Sequence, residues 1–235
     1  MIENVKVNDI ALSISFGCGT KNTEEQTIES VLKIAEDSMY QQKILGTHRK
    51  RNEIFKVITH ALRSKCVWEN DHSRRVGTLC ASIGKAFNLP EDEIRELKVA
   101  GELHDIGKIA IDEEILNNPK PLTASEWALM KDHPDTGHRI LSTSSEYYKI
   151  AEYVLAHHER CDGSGFPKGL KGDAIQWKAR VIAIAEAYDA MTFDRHFKKA
   201  MTQEKAVAEI RANAGTQFDA EIAKVFVESV LGDIW

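Results

Sequence analysis

The stretch Leu103-His104-Asp105-Ile106-Gly107-Lys108 sets an imidazole beside a carboxylate, then a glycine, then a lysine. The residues leading into it, Ile94-Arg95-Glu96-Leu97-Lys98-Val99-Ala100-Gly101-Glu102-Leu103, carry helical spacing. Ile94, Leu97, Ala100 and His104 follow at steps of 3, 3 and 4, so they share one helix face and the histidine points where the apolar side chains point. Gly107 reads as a helix stop. His104 and Asp105 are therefore expected in the last turn of an inward-facing helix, where both reach one metal ion. Taken alone, a His-Asp pair at a helix end is more often a surface pair or a packed core histidine. The rest of the chain shifts that balance, because histidines recur at similar helical positions and His157-His158 is a doublet.

Outward from this stretch the chain reads as helices joined by loops. Residues 54–67 read as one helix, and a second begins near Asp71 with His72, Val76, Leu79, Ile83 and Ala86 on its inner stripe. Phe87-Asn88-Leu89-Pro90 closes it, and Pro90 opens the helix that carries His104. Thr123-Ala124-Ser125-Glu126 is a capping box. His133 precedes Pro134, which predicts extended backbone at a helix junction. A helix over about 146–158 sets Tyr153 and His157 one turn apart, and the glycines of 162–172 make that segment a loop. Helices follow over 181–191, 203–214 and 219–231. Residues 1–52 read differently: 10–16 alternates as a strand does, 17–23 is a loop, and Ile28, Val31, Leu32, Ala35 and Met39 mark an amphipathic helix ending near Leu45-Gly46. One strand and one helix cannot bury a core alone, so this segment reads as the tail of a larger α/β domain or as a docking segment.

Composition excludes several classes. The 235 residues, 43% hydrophobic and 29% charged, describe an ordinary globular protein with ample core. No apolar run approaches the roughly 18 residues of a membrane span, and the start Met1-Ile2-Glu3-Asn4-Val5-Lys6 is not a secretory signal. Cys18, Cys66, Cys80 and Cys161 are scattered, which argues against a disulfide framework or a cysteine zinc site and fits the cytoplasm. A net charge of -5 speaks against a general nucleic-acid binder, while leaving room for a small anionic ligand at a local basic cluster.

The candidate metal ligands are His72, His104, Asp105, His133, His157, His158 and Glu186. Glu186 is informative because it interrupts an apolar helix, Val181-Ile182-Ala183-Ile184-Ala185-Glu186-Ala187-Tyr188, where an unpaired carboxylate is costly. Asp189 shares its face and is a further candidate, as ligand or as hydrogen-bond partner. Buried structural histidines are the competing role for His72 and His133, and a solvated pair for His157 and His158. His48, His60, His138 and His196 lack comparable context. Imidazole and carboxylate without sulfur suit two octahedral ions such as iron or manganese, with Zn, Ni, Co or Mg as alternatives, and Asp105 can bridge them. Two such metals suit phosphoester hydrolysis, with a metal-bridging hydroxide attacking phosphorus.

These motifs resemble the HD-GYP family, a branch of the HD-domain metal phosphohydrolases. The matching segments are His72-Ser73-Arg74-Arg75-Val76, His104-Asp105-Ile106-Gly107-Lys108, His133-Pro134-Asp135-Thr136-Gly137 and His157-His158-Glu159-Arg160-Cys161-Asp162-Gly163-Ser164-Gly165-Phe166-Pro167. Gly169-Leu170-Lys171-Gly172, Asp189-Ala190-Met191-Thr192, Asp194-Arg195 and Gly215-Thr216-Gln217-Phe218-Asp219 complete the series, which spans about 53–232. The resemblance implies a metal-dependent phosphodiesterase that hydrolyses cyclic di-GMP to pGpG and onward to GMP. It implies that His72, His104, Asp105 and Glu186 hold one metal and that His133, His157 and His158 hold the other, with Asp105 bridging. It also implies that Lys108 lies near the scissile phosphate and that Arg195 and Lys198 contact substrate phosphates. Another cyclic dinucleotide, such as cyclic GMP-AMP, is the alternative substrate, and a degenerate cyclic di-GMP receptor acting through protein contacts is the alternative class.

Three departures bear on this. Gly165-Phe166-Pro167 stands for the name-giving Gly-Tyr-Pro, Glu186 stands where the family usually has aspartate, and Trp68 stands where some members carry a glutamate for a third metal. The neighbouring Glu69 is the candidate substitute. Upstream, Ser13-Ile14-Ser15-Phe16-Gly17 and Ala35-Glu36-Asp37-Ser38-Met39-Tyr40-Gln41-Gln42-Lys43 resemble the C-terminal end of a GGDEF domain without its nucleotide-binding motif. The expected architecture is mainly α: an HD-domain-like helical bundle over 53–235, after a strand-helix GGDEF remnant and linker helix over 1–52. The expected partners are cyclic di-GMP and a second copy or GGDEF and other regulatory domains, with no large nucleic acid.

Overall fold

The structure is a computed structural model that describes residues 6–7, 10–11, 18–23, 26–36, 39, 57–62, 64–194 and 199–235. The chain divides into two compact units, Met1–Lys56 and Val57–Trp235. In the first, β1 (Lys6–Val7) pairs antiparallel with β2 (Ile10–Ala11), Lys6 opposite Ala11, and α1 spans 28–36. The expected strand thus begins at Ile10, while its continuation over 12–17 and the expected helix end near Gly46 lie outside the described residues.

The second unit is mainly helical. After helical residues 57–62 and 64–65 come α2 (Val67–Ala86), α3 (Glu91–Leu103), a 3-10 turn (Ile106–Ala110) and α4 (Glu113–Leu116). Then follow α5 (Ala124–Lys131), α6 (His133–Leu141), α7 (Tyr148–Ala156), a glycine-rich loop, α8 (Trp177–Thr192), α9 (Gln203–Ala212) and α10 (Ala220–Val225) running into a π-helical turn (Phe226–Val230). The central helix is α2, packed against α3, α8 and the closing π turn. Val76, Cys80, Ile83, Leu97, Val154, Ile182, Ile184 and Phe226 form its fully buried surroundings. The α2–α3 hairpin is tight because Gly77 and Gly101 face each other: a Cβ on Gly101 would lie 2.8 Å from Gly77 Cα. No helix among the described residues is long and apolar enough to cross a membrane.

Several boundaries differ from the sequence reading. Helix α2 begins at Val67 and not near Asp71, because Cys66 is extended (φ -142, ψ 98) and breaks the chain from the preceding turns. Asp71 is instead an exposed residue inside α2, 3.7 Å from Arg74 one turn on. Helix α8 starts at Trp177, earlier than 181. His133 is not extended: it is the first residue of α6, where the missing N–H of Pro134 falls among donors that lack an intrahelical partner anyway. The expected capping box is present, with Thr123 and Glu126 each accepting the other's backbone N–H.

Gly107 has a different task from the one its position suggested. Helix α3 ends at Leu103, His104 caps it, and Gly107 sits inside the 3-10 turn. A Cβ there would lie 1.9 Å from His133 O and 2.5 Å from Gly137 N. The glycine therefore lets the turn that carries Asp105 and Lys108 press directly onto the start of α6. That contact brings His133 to Asp105.

Candidate metal centre

The histidines come from helix ends, and the physics of helix ends orients them. The last carbonyls of a helix have no intrahelical donor. At the end of α3, His104 Nδ1 donates to Gly101 O at 2.8 Å. At the end of α5, His133 Nδ1 donates to Met130 O at 2.7 Å. At the end of α7, His157 Nδ1 donates to Val154 O at 2.5 Å. His72, inside α2, donates Nδ1–H to Asp189 Oδ2 at 2.6 Å. Because carbonyl and carboxylate oxygens only accept, each imidazole carries a proton on Nδ1 and turns its Nε2 inward, the nitrogen through which a neutral histidine ligates metal.

The seven residues singled out from sequence come together in two adjoining groups. One ligand atom from each of His72, His104, Asp105 and Glu186 lies within 4.8 Å of the others, and the same holds for His133, His157 and His158. Asp105 stands between them. Its Oδ2 is 3.0 Å from His104 Nε2 and 3.7 Å from His72 Nε2, while its Oδ1 is 3.1 Å from His133 Nε2. Glu186 faces both groups, with Oε2 4.0 Å from His157 Nε2 and 3.8 Å from His158 Nδ1.

These residues fit divalent cations. His72 Nε2, His104 Nε2 and Asp105 Oδ1 are buried without a well-aligned hydrogen bond among the described residues. Leaving such atoms unsatisfied is costly. His133 Nε2 and His157 Nε2 lie 3.3 Å apart, and with both Nδ1 protons committed to carbonyls two lone pairs face each other. A shared or adjacent cation relieves that opposition. The groups contain nitrogen and oxygen and no thiolate, a set suited to iron, manganese and related ions.

The surrounding charges are arranged to match. Burial, reinforced by neighbouring imidazoles, holds His157 and His158 well below the usual histidine range, and burial lowers His72. Burial also works against the charge on His104, yet Asp105 beside it draws its pKa up to about 9. Asp105 overcomes its own burial through His104 and Lys108 and stays well below the usual carboxylate range. A metal held at this group would displace the His104 proton.

Lys108 is largely buried. Its ammonium contacts Asp105 Oδ2 at 2.5 Å and Glu69 Oε2 at 3.3 Å. Against the effect of burial, these two carboxylates raise its pKa above the ordinary lysine range. Glu69, only 2% exposed, is pushed up to about 8 by burial and by Asp105.

Asp189 does not join either group. It grips Arg75 through two hydrogen bonds, at 2.6 and 2.9 Å, while accepting from the back of His72. Arg75 enters the sequence reading only as part of a matching segment, with no role, although it lies three residues after His72, on a neighbouring part of the same helix face. Asp189→Ala is expected to weaken metal affinity about 10- to 100-fold by freeing the His72 ring. Metal titration monitored by turnover checks this, and wild-type affinity would deny Asp189 its orienting role.

Phe166 stacks on His158, ring centroids 4.8 Å apart and 28° between planes. The loop bearing it contains a cis Phe166–Pro167 bond and is held by Glu159, which accepts the backbone N–H groups of Lys168 and Leu170. Arg195 and Lys198, the expected phosphate contacts, and the expected surface residues His48 and His196 lie outside the described residues. His138 pairs with Glu152 at 2.9 Å, away from the centre.

Residues 56–222 match the family described as HD domain. The chain is 40% identical over 147 residues to the cyclic di-GMP phosphodiesterase response regulator RpfG of Xanthomonas campestris, covering 62% of this chain and 39% of that protein. It is 35% identical over 173 residues to the 3'3'-cGAMP-specific phosphodiesterase 2 of Vibrio cholerae, covering 73% of this chain and 33% of that protein. The chain thus spans less than half the length of these relatives. Among solved structures, a cyclic GMP-AMP specific phosphodiesterase of V. cholerae shares the fold at a TM-score of 0.53 and 21% identity, over 76% of this chain and 48% of that one.

Proposed function

The chain belongs to the HD-domain family, and on that premise we propose that it is a metal-dependent phosphodiesterase that hydrolyses cyclic di-GMP to pGpG or onward to GMP. The observation that carries this reading is the carboxylate of Asp105, whose two oxygens face two separate groups of inward-turned imidazoles. We read His72, His104, Asp105 and Glu186 as one ligand set and His133, His157 and His158 as the other, with Asp105 common to both. Divalent ions held there, iron or manganese by the donor set, supply Lewis acidity and acidified water when bound.

The protein's own groups do the rest. Asp105 ties the two sets at a fixed separation. Lys108 keeps Asp105 anionic and brings a positive charge to the edge of the site, where phosphate charge grows in the transition state. Arg195 and Lys198 neutralise the substrate phosphates in this reading. Phe166, stacked on His158, shields that imidazole from water with a ring that has no hydroxyl to donate. We assign residues 1–52 as the end of a GGDEF-like domain and 53–235 as the catalytic domain.

Metal analysis on anaerobically purified protein, followed by cyclic di-GMP turnover on the same sample, tests the reading. The expected result is about two iron or manganese ions per chain, the nuclearity of two-metal phosphoesterases, with release of pGpG or GMP. Metal-free protein that still binds cyclic di-GMP would overturn it in favour of a receptor. Cyclic GMP-AMP is the second substrate to test, because a relative named for it aligns over 173 residues.

A further inference from the structure

A cavity of about 410 Å³ opens beside His72, where α2 meets the C-terminal end of α8. One wall is Trp68, one turn before His72, whose ring packs obliquely on the imidazole with centroids 5.5 Å apart. Another is Phe193, the C-terminal cap of α8, which is 43% exposed. The Arg75 guanidinium lies 3.7 Å from the Phe193 ring centroid and is itself clamped by Asp189, so this aromatic wall stands on a fixed cation. Asp71 lines the cavity, 62% exposed.

Volume and chemistry point to one kind of occupant. The size falls in the range of small-molecule sites. Aromatic walls take nucleobases by stacking, since every base presents a π-face. His72 belongs both to the cavity wall and to a ligand group, so a base seated here keeps its attached phosphate near the metal centre. An ionised carboxylate accepts hydrogen bonds and cannot donate them. Guanine offers adjacent donors at N1 and N2, whereas adenine presents a lone pair at N1. We propose that this cavity receives one purine of the cyclic dinucleotide, with Trp68 and Phe193 as stacking walls and Asp71 selecting guanine. The inference rests on the phosphodiesterase reading.

Steady-state kinetics of the metal-loaded full chain test it with cyclic di-GMP, cyclic di-AMP and methyl p-nitrophenyl phosphate, a diester without a purine. Trp68→Leu is expected to raise KM for cyclic di-GMP about tenfold with a much smaller change in kcat, as the loss of one base stack requires. Trp68→Phe, which keeps a ring, is expected to recover most of that loss. An equal fall on the purine-free diester would make Trp68 a support of the metal centre and overturn the subsite. Asp71→Asn, a surface change that leaves the core alone, is expected to cut the preference for cyclic di-GMP over cyclic di-AMP about fivefold. An unchanged preference would remove Asp71 from base selection. If the wild type cleaves the diester but neither binds nor cleaves a cyclic dinucleotide, the cyclic-dinucleotide reading falls and the subsite with it. If the wild type turns over cyclic di-GMP and all the variants match it, the subsite alone falls.

Discussion

Asp105→Ala is expected to lower cyclic di-GMP turnover by at least about 10³-fold and to reduce the metal content to one ion per chain or fewer. Asp105 is the group that both imidazole sets share: its Oδ2 faces His104 and His72, and its Oδ1 faces His133. Without it, each set loses an anionic ligand. Burial keeps His72, His157 and His158 below the usual histidine range, and His104 loses the carboxylate that raises its pKa. The His133, His157 and His158 group is then left without a carboxylate and the His72 and His104 group with Glu186 alone, so affinity for divalent ions and the link between the two groups should both fall. The helical core should survive, because Val76, Ile83, Leu97, Ile182 and Phe226 pack behind the site and make no use of Asp105. Far-ultraviolet circular dichroism and metal analysis of the same preparation separate these effects. A variant that keeps its helical spectrum, two ions and near-wild-type turnover would remove Asp105 from the bridging position.

The site was more legible in the sequence than the helices that carry it. Apolar spacing from Ile94 to His104 fixed the side on which the histidine lies, because a 3.6-residue period leaves few alternatives. The interrupting Glu186 stood out for another reason, the cost of a carboxylate among apolar residues, and His157-His158 stood out as a doublet. What periodicity could not supply was the end of each helix. Asp71 resembles an N-cap by residue type, but the extended backbone of Cys66 sets the true start of α2. Gly107 resembles a stop, but its reason is a neighbouring backbone at a distance no Cβ could tolerate. Both depend on contacts distant in sequence. The same holds for Asp189: helical spacing puts it near the face of Glu186, yet only the approach of α2 reveals that it holds His72 and Arg75. The expectation for Lys108 was likewise incomplete. A motif names a lysine near a phosphate and does not show that two buried carboxylates hold it.

Lys108→Met is expected to lower kcat about 10²-fold, the usual cost of removing one preorganised charge from a phosphoryl-transfer site. It is also expected to destabilise the fold by about 3–5 kcal/mol, since it leaves the buried Asp105 carboxylate without its ammonium partner. These consequences have different causes and can be separated. Glu69→Gln added to Lys108→Met removes the second carboxylate, so in alkali, where Glu69 is ionised, part of the stability should recover while turnover stays low. Thermal unfolding and steady-state kinetics on the single and double variants provide the comparison. If the double variant regains turnover together with stability, Lys108 serves only to neutralise Glu69 and has no part in catalysis. The pH dependence has a definite sign. The folded state raises the lysine's pKa above its unfolded value, so its stabilisation is fully present below the ordinary lysine pKa and fades only as pH rises through the higher folded value. The contribution of Lys108 to the gap between wild type and Lys108→Met should therefore persist across the neutral range and narrow only in strong alkali. Glu69 adds a smaller trend of its own: burial and Asp105 hold its pKa at about 8 against the pull of Lys108, so in the variant it keeps its proton to still higher pH and repels Asp105 only in alkali. A gap that widened steadily toward acid would contradict both assignments.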